Sequence, residues 1–154
     1  MCLYSNVIQT SVADEDIKCY KILDKKKGLK TPFQRYELSE EIINGEENFK
    51  ACYADDTIDN TPQKDGEFGY LIKDGFIHSI NGEKESKTVF DVIKRMFADY
   101  IKHPVLFECV IPKGTEYYSG RDNNYHHGFA SKELKFIKQI EVEEQEEEKE
   151  NGVQ

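Results

Sequence analysis

Apolar positions along the chain gather in short runs separated by charged or turn-forming stretches, the pattern of an α+β fold rather than of a helical bundle. Residues 17–23 (IKCYKIL) lie between Asp14-Glu15-Asp16 and Asp24-Lys25-Lys26-Lys27-Gly28 and read as a strand running into a charged turn. Thr31-Pro32-Phe33 then interrupts regular structure, because proline lacks a donor and restricts the residue before it. Residues 39–45 (SEEIING) predict a single helical turn, capped by Ser39 and stopped near Gly45. Residues 55–67 carry turn formers without periodicity and read as a long surface loop.

In residues 68–80, the runs FGYLIK and FIHSI flank Asp74-Gly75, which predicts a β-hairpin; Asn81-Gly82 adds a second turn. Residues 88–102 predict the main helix. Val89, Ile93, Met96, Phe97 and Tyr100 recur at helical spacing and share one face, Thr88 with Asp91 resembles a capping box, and Pro104 closes the segment. Residues 105–111 (VLFECVI) read as a buried strand, Pro112-Lys113-Gly114-Thr115 as a turn. Residues 133–142 read as a last strand with Leu134, Phe136 and Ile140 on its buried face. The expected architecture is α+β: a mixed, mainly antiparallel sheet with one main amphipathic helix at about 88–102.

Composition changes this picture at one end. The chain has 154 residues and a net charge of −9, but seven glutamates and one lysine in residues 141–154 account for −6 of it, leaving −3 elsewhere. Residues 1–140 therefore read as one domain and 141–154 as an acidic tail that repels itself and has little apolar surface to bury. Net negative charge disfavours long nucleic acids and anionic membranes as partners, yet leaves room for a small anionic ligand in a local basic pocket. Cys2, Cys19, Cys52 and Cys109 are widely spaced with no C-x-x-C pair, no signal peptide opens the chain, and no apolar stretch is long enough to span a membrane. These features point to reduced thiols in a soluble, cytoplasmic protein.

The standard nucleotide and hydrolase motifs are absent. His126 and His127 are adjacent, so on a strand they would point to opposite faces; with no other ligand at zinc spacing, they read as loop histidines, and no metal is expected. The most informative stretch is 111–136, where Lys113, Tyr117, Tyr118 and Arg121 mix cations with aromatic rings. Such a set can stack a base and neutralise a phosphate.

Four segments together resemble a family of small bacterial and phage-borne proteins: CYKIL (19–23), DGFIHSI (74–80), ECVIPKGTEYYSG (108–120) and FASKELKF (129–136). Their order also resembles that of ADP-ribosyltransferase-like domains, which place an early Tyr-Arg strand, a Gly-Phe-x-Ser strand, a strand ending in Pro-x-Gly-Thr and a late catalytic Glu. Tyr20-Lys21, Gly75-Phe76-Ile77-His78-Ser79, Pro112-Lys113-Gly114-Thr115 and Glu133 match that order. The resemblance implies a cation for a pyrophosphate, a hydroxyl for orientation and a carboxylate for an oxocarbenium-like centre. Lys21 stands where that family has Arg or His, and the late Glu-x-Glu is Glu133-Leu134-Lys135, which implies a degraded catalytic set.

The expected function is a non-enzymatic binding module for a small nucleotide-like ligand, of the kind a phage could use to sequester a host-defence signal. Its ligand-binding set would be Tyr20, Lys21, Ser79, Lys113, Tyr117, Tyr118 and Arg121, with no cofactor. The alternatives are an ADP-ribosyltransferase-like enzyme acting on NAD through Lys21, Ser79 and Glu133, or a protein-interaction domain using the acidic tail. A homo-oligomer could form through an exposed edge of the hairpin.

Overall fold

Strands from both ends of the chain join edge to edge in one connected antiparallel sheet, with two helices laid on it. A computed structural model describes residues 3–6, 9–25, 29–30, 37–51, 63–64, 69–72, 76–122 and 126–142. In chain order the elements are β1 (Leu3–Ser5), β2 (Ser11–Val12), β3 (Ile17–Asp24), β4 (Leu29–Lys30), β5 (Glu37–Leu38), α1 (Glu40–Ile43), β6 (Phe49–Lys50), β7 (Gln63–Lys64), β8 (Tyr70–Ile72), β9 (Ile77–Ile80), α2 (Glu83–Met96), β10 (Pro104–Ile111), β11 (Glu116–Arg121), β12 (His127–Ser131) and β13 (Glu133–Ile140). The strand order is β6-β13-β10-β3-β9-β12-β11-β1-β8-β7, with β2 on β11 and β4 joining β3 to β5. The fold is α+β, mainly antiparallel, with one main helix, as the sequence predicts.

Strand alternation divides the core. On β3, Cys19 and Leu23 face a cluster that includes Phe107, Cys109 and Ile111 of β10, Ile77 of β9, Phe129 of β12 and Leu134 and Phe136 of β13. Phe49, Leu38, Ile42 and Ile43 pack against this face. Tyr20 and Ile22 point the other way, into a second cluster with Leu106, Ile101 and the Val89, Phe90 and Ile93 side of α2. A third cluster, Leu3, Ile72, Phe76, Tyr118 and Ala130, closes the far end of the sheet.

Several local expectations hold in detail. α1 is one turn whose N-cap Ser39 accepts a 3.3 Å hydrogen bond from the Ile42 amide, and Gly45 follows it with φ of 78°. Other expectations are corrected. The run 68–80 is not a hairpin: β8 pairs with β1 and β7, whereas β9 pairs with β12 and β3. Asp74-Gly75 lies outside the described residues. The apolar residues explain the separation, since Ile72 belongs to the third cluster and Ile77 to the first, with β12, β11 and β1 between them.

The main helix runs Glu83–Met96, starting earlier than the 88–102 expected. Asn81-Gly82 is its entry rather than a separate turn, with Gly82 at the N-cap. Thr88 is therefore no cap; its hydroxyl donates to the Lys84 carbonyl one turn back. The buried face is Ser86, Val89, Phe90 and Ile93, while Met96 is 75% exposed and Phe97 and Tyr100 lie beyond the helix body at the surface.

Of the expected 55–67 loop, Gln63–Lys64 form a short strand on β8; the remainder lies outside the described residues. On β13 the register shifts between Cys109↔Phe136 and Glu108↔Lys138, so Ile137 is an extra residue. This bulge sends Leu134 and Phe136 to the first cluster but Ile140 to the second, splitting a face that alternation alone would keep together. Val142 packs on the second cluster, and 143–154 lie outside the described residues, as do Cys2 and Cys52. No helix among the described residues is long and apolar enough to cross a membrane.

Candidate functional site

Among the described residues, the seam between β3 and β9 is one of two thin junctions along the strand path, the other being β1–β11, where Tyr4↔Arg121 is the one registered pair. The β3–β9 ladder has a single registered pair, Tyr20↔Ile80, although both strands continue past it. One residue further along, Lys21 of β3 lies across from Ser79 of β9. No backbone pair is registered between the strands there, and the Lys21 ammonium links them instead: Nζ donates a 2.7 Å hydrogen bond to the carbonyl of His78.

Lys21 is 8% exposed, an unusual position for a lysine. Burial lowers its pKa to about 8, with the nearby thiols Cys109 and Cys19 acting in the opposite direction. Ser79 is also buried, and its Oγ has no hydrogen-bond partner of ordinary geometry among the described residues. Its one polar interaction is a loose one with the Cys19 thiol, which acts to lower that thiol's pKa against the larger effect of burial. Leaving a buried hydroxyl unpaired costs about 1–3 kcal/mol, so Ser79 is an apt place for an added acceptor or donor.

Two cysteines complete the group. Cys19 shares the Lys21 face of β3, two residues away, and Cys109 of β10 is its direct cross-strand partner. Both thiols are fully buried and free. Burial pushes Cys19 up to about 12, against weaker lowering by Ser79 and Lys21, and pushes Cys109 well above its ordinary value. The Cys109 thiol donates a long 3.8 Å contact to the Phe107 carbonyl.

The other residues singled out from the sequence are placed elsewhere. Tyr20 adjoins Lys21 in sequence but faces α2 in the second cluster, where burial, Glu83 and Glu108 raise its phenol pKa. Tyr117 packs half-buried against the first cluster, edge-on to Phe129 at 5.9 Å. Tyr118 turns to the third cluster, edge-on to Phe76 at 5.3 Å. The two tyrosines thus belong to two different packed interiors.

Lys113 is exposed in the turn after β10, its amide held by Asp16 Oδ1 at 2.9 Å. That turn follows the Ile17↔Ile111 end of the ladder, and Ile17 is roughly 13 Å along the strand from Lys21. Arg121 is exposed at the end of β11, opposite His127 and Tyr4. Glu133 Oε2 accepts a 3.3 Å hydrogen bond from Asn48 Nδ2, and its side chain leaves β13 on the face opposite Leu134. His126 Nδ1 lies 3.2 Å from Asp122 Oδ2, and the His127 amide donates to Glu85.

The structure therefore brings together Lys21 and Ser79 of the expected set, and does not bring Tyr20, Lys113, Tyr117, Tyr118, Arg121 or Glu133 to them. Cys19 and Cys109 join the site without having been singled out. The C-x-K alternation in IKCYKIL does put Cys19 and Lys21 on one face, but nothing local pairs Cys19 with a residue 90 positions away. No family model, curated protein or solved structure matches the chain at a significant level.

Proposed function

We propose that this protein is a non-enzymatic binding module for a small, nucleotide-like anion, held at the β3–β9 seam by Lys21 and Ser79. The observation that carries this reading is the buried Ser79 hydroxyl, whose interaction with the Cys19 thiol falls short of a well-formed hydrogen bond, on the same side of the seam as a buried ammonium. An ammonium has three donors, and the His78 carbonyl takes one, so a phosphate or ribose oxygen could be met by the others together with the serine hydroxyl. With a single registered pair between β3 and β9, separating these strands around a ligand breaks fewer backbone hydrogen bonds than separating β3 from β10, which are registered over eight pairs. Sequestration of a nucleotide signal by a phage-borne protein in a host cytoplasm is one concrete role for such a module.

Thermal-shift measurement against cyclic and linear nucleotides and ADP-ribose tests the reading. A ligand selective for the folded state, present at 100 times its Kd, stabilises by roughly 2.7 kcal/mol, which raises the melting temperature by several degrees. That rise should disappear in Lys21→Met and shrink in Ser79→Ala. A flat response of the wild type across the panel would remove the proposal.

The enzymatic alternative needs a carboxylate next to Lys21 and Ser79, and the Glu133 carboxylate is engaged by Asn48 instead. Incubation with NAD separates the two readings: binding without release of nicotinamide supports the module, whereas release that is lost in Glu133→Gln supports the enzyme.

A further inference from the structure

The Cys19–Cys109 pair has a chemistry of its own, independent of whether a ligand binds at Lys21. Directly opposed residues of an antiparallel ladder have Cα atoms about 4.5 or 5.5 Å apart, depending on the type of pair, and both separations fall within the range a disulfide spans. Opposed residues also share a face, so the two thiols belong to one cluster without any backbone rearrangement. We propose that Cys19 and Cys109 are a cross-strand oxidation site, closed to a disulfide by a small hydroperoxide, in which Cys19 reacts first and Cys109 resolves.

The order follows from access. Cys109 lies on β10, whose two edges are covered along their length by β3 and β13. Cys19 lies next to the seam held by one rung, beside Ser79, so separating β3 from β9 uncovers its sulfur first. Lys21, two residues along on the same face, is the positive charge that favours the Cys19 thiolate once it forms.

In the first step the Cys19 thiolate attacks a peroxide oxygen. The S–O bond forms, the O–O bond breaks, and the departing hydroxide takes up a proton to become water. In the second step the Cys109 thiolate attacks the Cys19 sulfenic sulfur; the S–S bond forms, the S–O bond breaks, and a second water leaves. Two thiols have then lost two electrons and two protons, and hydrogen peroxide has been reduced to two waters. Because burial keeps both thiols protonated in the closed fold, the reaction is slow there and speeds up when the seam opens.

The test uses the full chain with Cys2 and Cys52 replaced by serine, treated with hydrogen peroxide and followed by intact mass and non-reducing peptide mapping. The expected result is a loss of about 2 Da, a cross-linked peptide pair carrying Cys19 and Cys109, and reversal by dithiothreitol. Peptide mapping of the wild type gives the same answer where the serine variant does not fold. Mass increases of about 16 or 32 Da without the cross-link, or unchanged mass after free glutathione in the same tube is fully oxidised, overturn the proposal. Lys21→Met should slow the cross-link several-fold in the folded protein and leave its rate in urea unchanged; equal folded rates overturn the role given to Lys21. A flat nucleotide screen alongside a formed disulfide would remove the ligand reading and leave this one standing.

Discussion

Lys21, one residue past Tyr20 on β3, donates a 2.7 Å hydrogen bond to the carbonyl of His78, two residues before Ile80 on β9, and Tyr20↔Ile80 is the only registered pair between those strands. A cation thus closes a gap in a ladder that backbone amides close elsewhere. Its cost is electrostatic, and its sign can be worked out. The folded pKa of about 8 lies below the ordinary 10.5, so between those values the unfolded chain binds more protons than the native one. Stability from this group therefore rises with pH across that window.

The two thiols act in the opposite sense, since their raised pKa values make stability fall as pH climbs past 9. Subtracting the urea-unfolding free energy of Lys21→Met from that of the wild type cancels the larger, burial-driven part of their share. The difference should move in favour of the wild type by roughly 2–4 kcal/mol between about pH 7.5 and 10.5. A difference that stays flat with pH would mean that Lys21 is solvated in the native state.

Ser79→Ala should leave the unliganded protein as stable as the wild type, or more stable by up to about 2 kcal/mol, because it removes a buried hydroxyl whose contact with the Cys19 thiol is not a well-formed hydrogen bond. Denaturant unfolding in the absence of ligand checks this. A loss above about 1 kcal/mol would show that the hydroxyl is satisfied in the native state.

Gly120 and Gly128 face each other across β11 and β12. A Cβ built on Gly120 would lie 2.2 Å from the Tyr4 carbonyl oxygen, and one on Gly128 2.7 Å from that of Ser79. Both obstacles are backbone atoms, so β1 and β9 would have to shift. Gly120→Ala should cost about 1–3 kcal/mol, read from urea midpoints, despite the better strand propensity of alanine.

The helix offers a paired comparison. Phe90 is buried against β3 and β10, and its truncation to alanine should cost about 3–5 kcal/mol. Met96, at 75% exposure, should accept lysine within about 0.5 kcal/mol. Equal losses at the two sites would mean that Met96 is covered in solution.

The strands at 17–23, 105–111 and 133–142, the capped turn after Ser39 and the existence of one main amphipathic helix are all legible in the sequence. Those features are written in alternation, caps and spacing, which act between residues near one another in the chain. The same signals misread the start of α2, because Asn81-Gly82 serves equally as a turn and as a helix entry. They also pair β8 with β9, because an Asp-Gly turn specifies a reversal but not which strand edges meet. Long-range packing is what sends Ile72 and Ile77 into different clusters, divides the last strand with a bulge at Ile137, and seats Tyr117 and Tyr118 in separate interiors. It also assembles Lys21, Ser79, Cys19 and Cys109. Their meeting depends on the burial of whole strand faces, a condition spread over distant segments that no short stretch of sequence encodes.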